Sequence, residues 1–311
     1  MEHRVFLGKY RVATTKRVRW WEPRRSHLGL IYEAKEIGSG KKFALELIPL
    51  FLLGESERAE LRRAARAARQ IRHRNIPILH EFGQEGEQFV TVAEEVSGMT
   101  APAWIAAHGP IPIAAALRVP LQVASALRVA ARHDLYHPTL YPGNLMILSG
   151  QSVEGGGPLV KVVRFLGPQP SPRALDLSNP TFAGAITFAS PEQIADGVID
   201  FRAEIYSLGG LLWFPLSGAP PVAFFGARDR MRTSNFDSGS TQIADLPAGI
   251  VGLLEGMLSE NPDERPTDPT ALEEQIRLCL LDVETAPVRP PGEFFWPERA
   301  TPPPAPGAAG A

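Results

Sequence analysis

The 311-residue chain reads as an α+β protein of two lobes, a small β-rich one with one main helix and a larger, mostly helical one. Short, partly alternating apolar runs at Tyr10 to Ala13, Leu30 to Lys35 and Lys42 to Ile48 predict antiparallel strands, and Gly38-Ser39-Gly40 is a hairpin signal between the last two. One Ala- and Arg-rich stretch, Glu57 to Arg72, has neither Gly nor Pro and carries Leu61, Ala64, Ala68 and Ile71 as an apolar stripe, which predicts a helix capped by Ser56. Beyond residue 101 the spacing becomes helical, with Leu117, Leu121, Ala124, Leu127 and Ala131 on one face of Ala114 to Arg132. The division is 1–96 for the first lobe, 97–284 for the second and 285–311 for a Pro- and Ala-rich tail.

A hydrophobic content of 44% supports an ordinary packed core, and a formal net charge of −2 argues against a dedicated nucleic-acid binder. The single cysteine, Cys279, excludes an intramolecular disulfide and a Cys-based metal cluster, and its apolar neighbours assign it to packing. No run of about eighteen uninterrupted apolar residues is present and the N-terminus has no apolar signal core, so the expected compartment is the cytoplasm, without membrane contact.

The most informative stretch is His133-Asp134-Leu135-Tyr136-His137-Pro138-Thr139-Leu140-Tyr141-Pro142-Gly143-Asn144, followed by Leu145 to Leu148. It resembles the catalytic loop of a protein kinase, His-Arg-Asp-Leu-Lys-Pro-x-Asn. In that family the Asp accepts the proton of the substrate hydroxyl and the Asn holds magnesium. His137, Leu140, Pro142 and Asn144 fall in register, while Pro138, Thr139 and Tyr141 stand in place of Arg, Asp and Lys.

The same resemblance extends along the chain. Gly29-Leu30-Ile31-Tyr32 is similar to the end of a Gly-rich nucleotide loop, whose two earlier glycine positions hold Arg24 and Ser26. The basic and aromatic run from Lys16 to Arg25 reads as a solvated loop or as a grip for an anionic partner. Phe43 to Ile48 resembles the Val-Ala-Ile-Lys strand, with Glu46 at the lysine. A carboxylate about 4 Å from a phosphate oxygen repels it by about 4 kcal/mol per unit charge at an effective dielectric near 20. Alternation puts Glu46 on the same strand face as Ala44 and Ile48, in keeping with that register. Counting back from His73-Arg74-Asn75-Ile76, the glutamate that pairs the lysine in the family falls at Ala64. Phe89 to Val96 resembles the strand entering the hinge, where backbone groups accommodate adenine.

In the second lobe, Leu145 to Leu148 and Leu159 to Val163 read as a hairpin around Gly155-Gly156-Gly157, followed by Arg164-Phe165-Leu166 in place of Asp-Phe-Gly. A guanidinium is no metal ligand, so the reading predicts no specific magnesium site. Gly184 to Gln193 resembles the end of the activation segment, with Ala185 and Phe188 for the Thr and Tyr. Asp200 to Gly209 resembles the opening of a buried helix, with Glu204 for Asp. Asn261 to Pro266 resembles the Asp-Pro-x-x-Arg-Pro turn, which implies a buried ion pair between Arg265 and Glu192.

The resemblance covers residues 8 to about 281 and is closest to bacterial Ser/Thr kinases. It implies a degenerate member, a pseudokinase. The positions without their usual chemistry are Thr139, Tyr141, Arg164, Glu46 and Ala64; Gly29 and Asn144 are residual cofactor positions; His137, Glu192, Glu204 and Arg265 are structural. The reading is an interaction or regulatory scaffold that binds protein partners, with no cofactor, or with ATP held without magnesium. The alternative is a kinase-family transferase or nucleotide-binding sensor with a rearranged site. A third reading, a nucleic-acid binder acting through the Arg-rich first lobe, predicts affinity that falls steeply with salt. The exchanged charges at positions 46 and 164 further predict a salt bridge across the cleft. In the tail, Phe294-Phe295-Trp296 reads as a docking peptide or as a segment folded back on the domain.

Overall fold

The computed structural model describes residues 3–17, 29–109, 111–166, 185–195, 200–217, 221 and 246–285. Arg24, Ser26, the basic run beyond Arg17, Gly184 and the segment containing Phe294, Phe295 and Trp296 lie outside the described residues.

The first lobe is a six-stranded antiparallel sheet of order β1-β2-β3-β4-β6-β5, comprising β1 (His3–Phe6), β2 (Tyr10–Arg17), β3 (Leu30–Glu36), β4 (Lys42–Pro49), β5 (Leu79–Glu85) and β6 (Gln88–Glu94). The sequence reading missed β1 and β5. In β5 the sequence Leu-His-Glu-Phe-Gly-Gln-Glu is mostly polar, and its pairing with β6 rather than its own pattern makes it a strand. Gly38 and Gly40 both adopt positive φ, as the β3–β4 turn requires. Strand alternation sorts the sheet faces. Phe43, Leu45, Val90 and Val92 join Tyr10 and Phe6 in an outer cluster, while Ala44 and Glu46 face the other side and line the cleft.

The one long helix among the described residues of this lobe, α1 (Glu55–Gln70), starts two residues before the expected position. Its N-cap is Gly54 rather than Ser56. The Gly54 N–H donates to Glu57 Oε2 at 2.8 Å, so an acidic side chain inside the first turn supplies the cap and Ser56 is left exposed. Leu61, Ala64, Ala65 and Ala68 bury the inner face.

The second lobe opens with β7 (Gly98–Thr100) and α2 (Ala101–His108) and is built on α3 (Ile113–Ala131). With a mean hydropathy of 1.4 over its 19 residues, α3 passes the length and composition test for a membrane span, although Arg118, Gln122 and Arg128 interrupt it. It is the buried central helix here, packed against the later helices and the β8–β9 hairpin. That hairpin comprises β8 (Leu145–Val153) and β9 (Gly157–Val162) and forms a three-stranded sheet of order β7-β8-β9. A short turn of helix, α4 (Pro191–Ile194), precedes α5 (Phe201–Ser217), α6 (Ala248–Met257) and α7 (Pro269–Thr285). Cys279 of α7 is half-buried against the core, but its neighbour Leu278 points outward and is 53% exposed.

The ion pair between Glu192 and Arg265 is present. Arg265 Nη1 donates to Glu192 Oε1 at 2.6 Å and Nη2 to Oε2 at 2.9 Å, and Nε donates to the Ser259 carbonyl at 2.8 Å. The guanidinium also lies 5.1 Å from the Tyr206 ring centroid and is fully buried. Burial, the largest single influence, would raise the Glu192 carboxyl, but the hydrogen bonds from Arg265, from its own backbone and from Ser190, with the Arg265 charge, together hold the group below its ordinary value. Arg265→Gln should therefore destabilise the fold by about 3–5 kcal/mol in denaturant unfolding, because it leaves an unpaired carboxylate in the interior. A loss under about 1 kcal/mol would put the pair among surface ion pairs instead.

Candidate functional site

The cleft between the lobes holds a cavity of about 100 Å³ roofed by the Ala44 and Glu46 face of β4 and floored by Val163, Arg164, Phe165 and Leu166. Its frame is His137, fully used by hydrogen bonds. Its Nε2 contacts the Val163 carbonyl oxygen at 2.8 Å, and its Nδ1 accepts the Thr139 N–H at 3.1 Å. This pattern needs a neutral ring with the proton on Nε2. The His137 N–H donates to Glu204 Oε1 at 2.6 Å, and Phe165 packs edge-on against the imidazole with centroids 4.9 Å apart. Burial drives the His137 value down to about 4 and the Glu204 carboxyl up to about 8. Glu204 Oε2 is buried without a hydrogen-bond partner, and the next residue along the loop, Pro138, has no N–H to offer it.

Asn144 is also committed to the loop. Its Nδ2 donates to the Thr139 carbonyl at 2.7 Å, and its backbone carbonyl accepts the Val163 N–H at 2.9 Å. Its Oδ1 is buried without a partner, as is Thr139 Oγ1. Thr139 has no carboxylate with which to accept a proton. Tyr141 presents its ring to Gly143, where a Cβ would collide with it, so this glycine is dictated by the tyrosine. Gly29 is explained the same way. A Cβ there would run into the Leu47 carbonyl oxygen, so close approach of β3 to β4 requires glycine whatever the cleft holds.

Glu46 and Arg164 line the same cavity. Burial pushes the Arg164 guanidinium below its ordinary value, while the charge of Glu46 pulls it back up. Arg164 sits at φ 66°, in the left-handed region, with its Nε out of reach of water. Ala64 is buried in the core at 5% exposure and does not line the cavity, whereas Ala68, one turn further along α1, does. The residues present do not fit magnesium. Asn144 Oδ1 is one oxygen ligand, and the place of the second is taken by a guanidinium.

The sequence reading passed over Lys161. This residue is 8% exposed and its Nζ donates to Glu94 Oε2 at 3.0 Å, and Glu94 Oε2 also accepts the Ile78 N–H at 3.2 Å. The available signal was a lone charge inside the apolar run Leu159-Val160-Lys161-Val162-Val163. The reading used Asn75 only as part of the His73-Arg74-Asn75-Ile76 turn and gave it no role; its Nδ2 reaches Gln122 Oε1 at 2.9 Å and the Val160 carbonyl at 2.7 Å, and so pins the turn after α1 to α3 and β9.

Residues 26–276 match the protein kinase domain. The chain belongs to the protein kinase family. It is similar to the serine/threonine-protein kinase PrkC of Bacillus subtilis, 28% identical over 193 residues that make up 61% of this chain and 28% of PrkC. PknD of Mycobacterium tuberculosis is 27% identical over 249 residues, which are 78% of this chain and 36% of PknD. The chain thus spans about a third of the length of these relatives. Among solved structures, Rad53 residues 1–466 in complex with AMP-PNP superimposes with a TM-score of 0.62 at 19% identity, covering 86% of this chain and 66% of that one, a likeness of fold.

The His137 and Glu204 node has a pH signature. Glu204 keeps its proton in the fold up to about 8 and loses it near 4.5 when unfolded, so its stabilisation is complete below 4.5 and declines as pH rises to about 8. His137 stays neutral in the fold down to about 4 against an ordinary 6.5, so its contribution is complete above 6.5 and is lost as pH falls towards 4. The two slopes oppose each other between 4.5 and 6.5, and only that of Glu204 acts from 6.5 to 8. Stability measured by urea unfolding should fall over that upper interval. Glu204→Gln, which keeps an oxygen for the His137 N–H but does not titrate, should flatten the fall, and an unchanged slope would remove Glu204 as its cause.

Proposed function

We propose that this chain is a protein kinase-like domain that does not transfer phosphate and serves as an interaction or regulatory scaffold for protein partners, most simply in the cytoplasm. One observation carries the reading: Glu46 and Arg164 share one cavity with their charges exchanged relative to the family pattern. Phosphoryl transfer depends on positioning and on cations facing the phosphates, and here a carboxylate stands at the clamp and a cation at the metal site. Thr139 offers no base, and the Asn144 amide is engaged with the Thr139 carbonyl. The buried, unpartnered Asn144 Oδ1 favours the second reading, a nucleotide-binding sensor with a rearranged site.

The purified chain, incubated with labelled ATP and Mg²⁺, should label neither itself nor generic substrates. Transfer abolished by Asn144→Ala would sink the proposal, whereas transfer that survives this change belongs to a contaminant. Thermal shift with ATP, with and without Mg²⁺, separates the scaffold from the sensor.

A double-mutant cycle of Glu46→Gln and Arg164→Gln should give a coupling above about 1 kcal/mol if the two charges meet directly across the cleft. Coupling near zero would mean that each is satisfied separately.

A further inference from the structure

One row of cations in the first lobe takes no part in the cleft. Val5, Arg11, Lys35 and Lys42 are each the chain neighbour of a buried residue of the outer cluster, Phe6, Tyr10, Ala34 and Phe43. Alternation therefore puts all four on the opposite side of the sheet, and all are exposed. The ladder aligns them. Val5 pairs with Arg11, Arg11 with Lys35, and Lys35 with Lys42, across β1, β2, β3 and β4. None of them lines the cavity.

Like charges directly opposite one another in a sheet repel, and here two such pairs adjoin. Glu33 Oε1 lies 3.2 Å from Lys42 Nζ, whereas Arg11 and Lys35 meet no carboxylate among the described residues. Guarding a sheet edge does not account for the row, because the edge strand β1 contributes Val5 and the cations stand on the three strands inside it. The arrangement destabilises the free domain, and an anion laid along the row relieves it.

The spacing selects the anion. Neighbouring strands lie about 4.8 Å apart, so three cations on adjacent strands span about 10 Å. Carboxylates at positions i, i+4 and i+7 of a helix span about 10.5 Å along one face, whereas three alternate residues of an extended chain span about 13 Å. A nucleic-acid strand would meet Glu33 and the charge of Glu95 beside Lys42, and the paired residues of this face offer it no aromatic ring on which to stack.

We propose that Arg11, Lys35 and Lys42 form a docking row for a partner helix that carries acidic residues along one face. The helix lies across β2, β3 and β4 and sets an apolar residue against Val5, which is 40% exposed. The row lies outside the cavity, so the proposal holds whether or not the cleft transfers phosphate.

The test follows fluorescence anisotropy of a labelled, alanine-based helical peptide with Glu at i, i+4 and i+7 and Leu one turn before the first Glu, titrated with the full chain. The controls are a peptide of the same composition with its Glu residues spread over three faces, and labelled poly-uridine RNA. The patterned peptide should bind saturably, less tightly as salt rises, and on the order of tenfold more tightly than the spread one. Lys35→Glu should weaken it by about tenfold, since a rim contact is not only lost but reversed, and Arg11→Glu should do the same. In the free chain Lys35→Glu should raise Tm, because it ends the repulsion with both neighbours; this readout also shows that the variant is folded.

The proposal is overturned if the patterned peptide does not saturate, if the two peptides bind equally, if folded Lys35→Glu and Arg11→Glu both bind as the parent does, or if the RNA binds more tightly than the peptide. Phosphate transfer by the chain would sink the scaffold reading and leave these binding results untouched, so the two fail separately.

Discussion

A neutral imidazole buried under the cleft holds this structure's centre together. His137 joins three segments distant in sequence: its ring meets the end of β9 at Val163, its own loop at Thr139, and Phe165 edge-on, while its backbone N–H is taken by Glu204 of α5. Each contact uses a different atom of one residue, so none can shift without disturbing the others. The cost is electrostatic. An imidazole and a carboxyl are both placed where neither can ionise readily, and each is driven toward its neutral form.

This arrangement separates scaffold from chemistry in physical terms. The frame uses the His137 ring, the Asn144 amide and backbone carbonyls, all neutral groups that need partners but no substrate. Phosphoryl transfer in the family relies on charged tips that point into the cleft, and these tips are not part of the frame. Thr139 enters the frame through its backbone N–H and carbonyl alone, and Arg164 stands at the head of its triplet in a left-handed conformation. Phe165 beside it keeps its place against His137.

The lower lobe is tied by ion pairs, of which that of Arg265 with Glu192 is more buried than that of Arg118 with the exposed Glu284. Arg265 spans α4, the start of α5 and the turn before α7 through Glu192 and the carbonyls of Arg202 and Ser259. Arg128 of α3 reaches Glu273 of α7 at 2.7 Å, and Arg118 of α3 pairs Glu284 near the end of α7, so the last helix is fixed to the central one at two points. Guanidinium suits these sites because it is planar, weakly hydrated and can donate in several directions at once.

The sequence by itself determined the two-lobed order of elements, the face of β4 that carries Glu46, the position of the loop around His137 and the pairing of Arg265 with Glu192. The first two follow from local periodicity, which a linear reading can register, while the loop and the ion pair were implied by the resemblance to kinase motifs. Tertiary structure alone decided the rest. β5 is a strand because β6 pairs with it; Gly29 and Gly143 are glycines because a carbonyl and an aromatic ring approach them; Lys161 is buried because Glu94 lies across the interface. The cavity of the cleft belongs to the same class. Its lining comes from seven separate stretches of chain, and an empty space leaves no pattern in any one of them. Alternation and spacing are properties of one segment, whereas close approach, desolvation and cavities are properties of several segments together, and these exist only once the chain has folded.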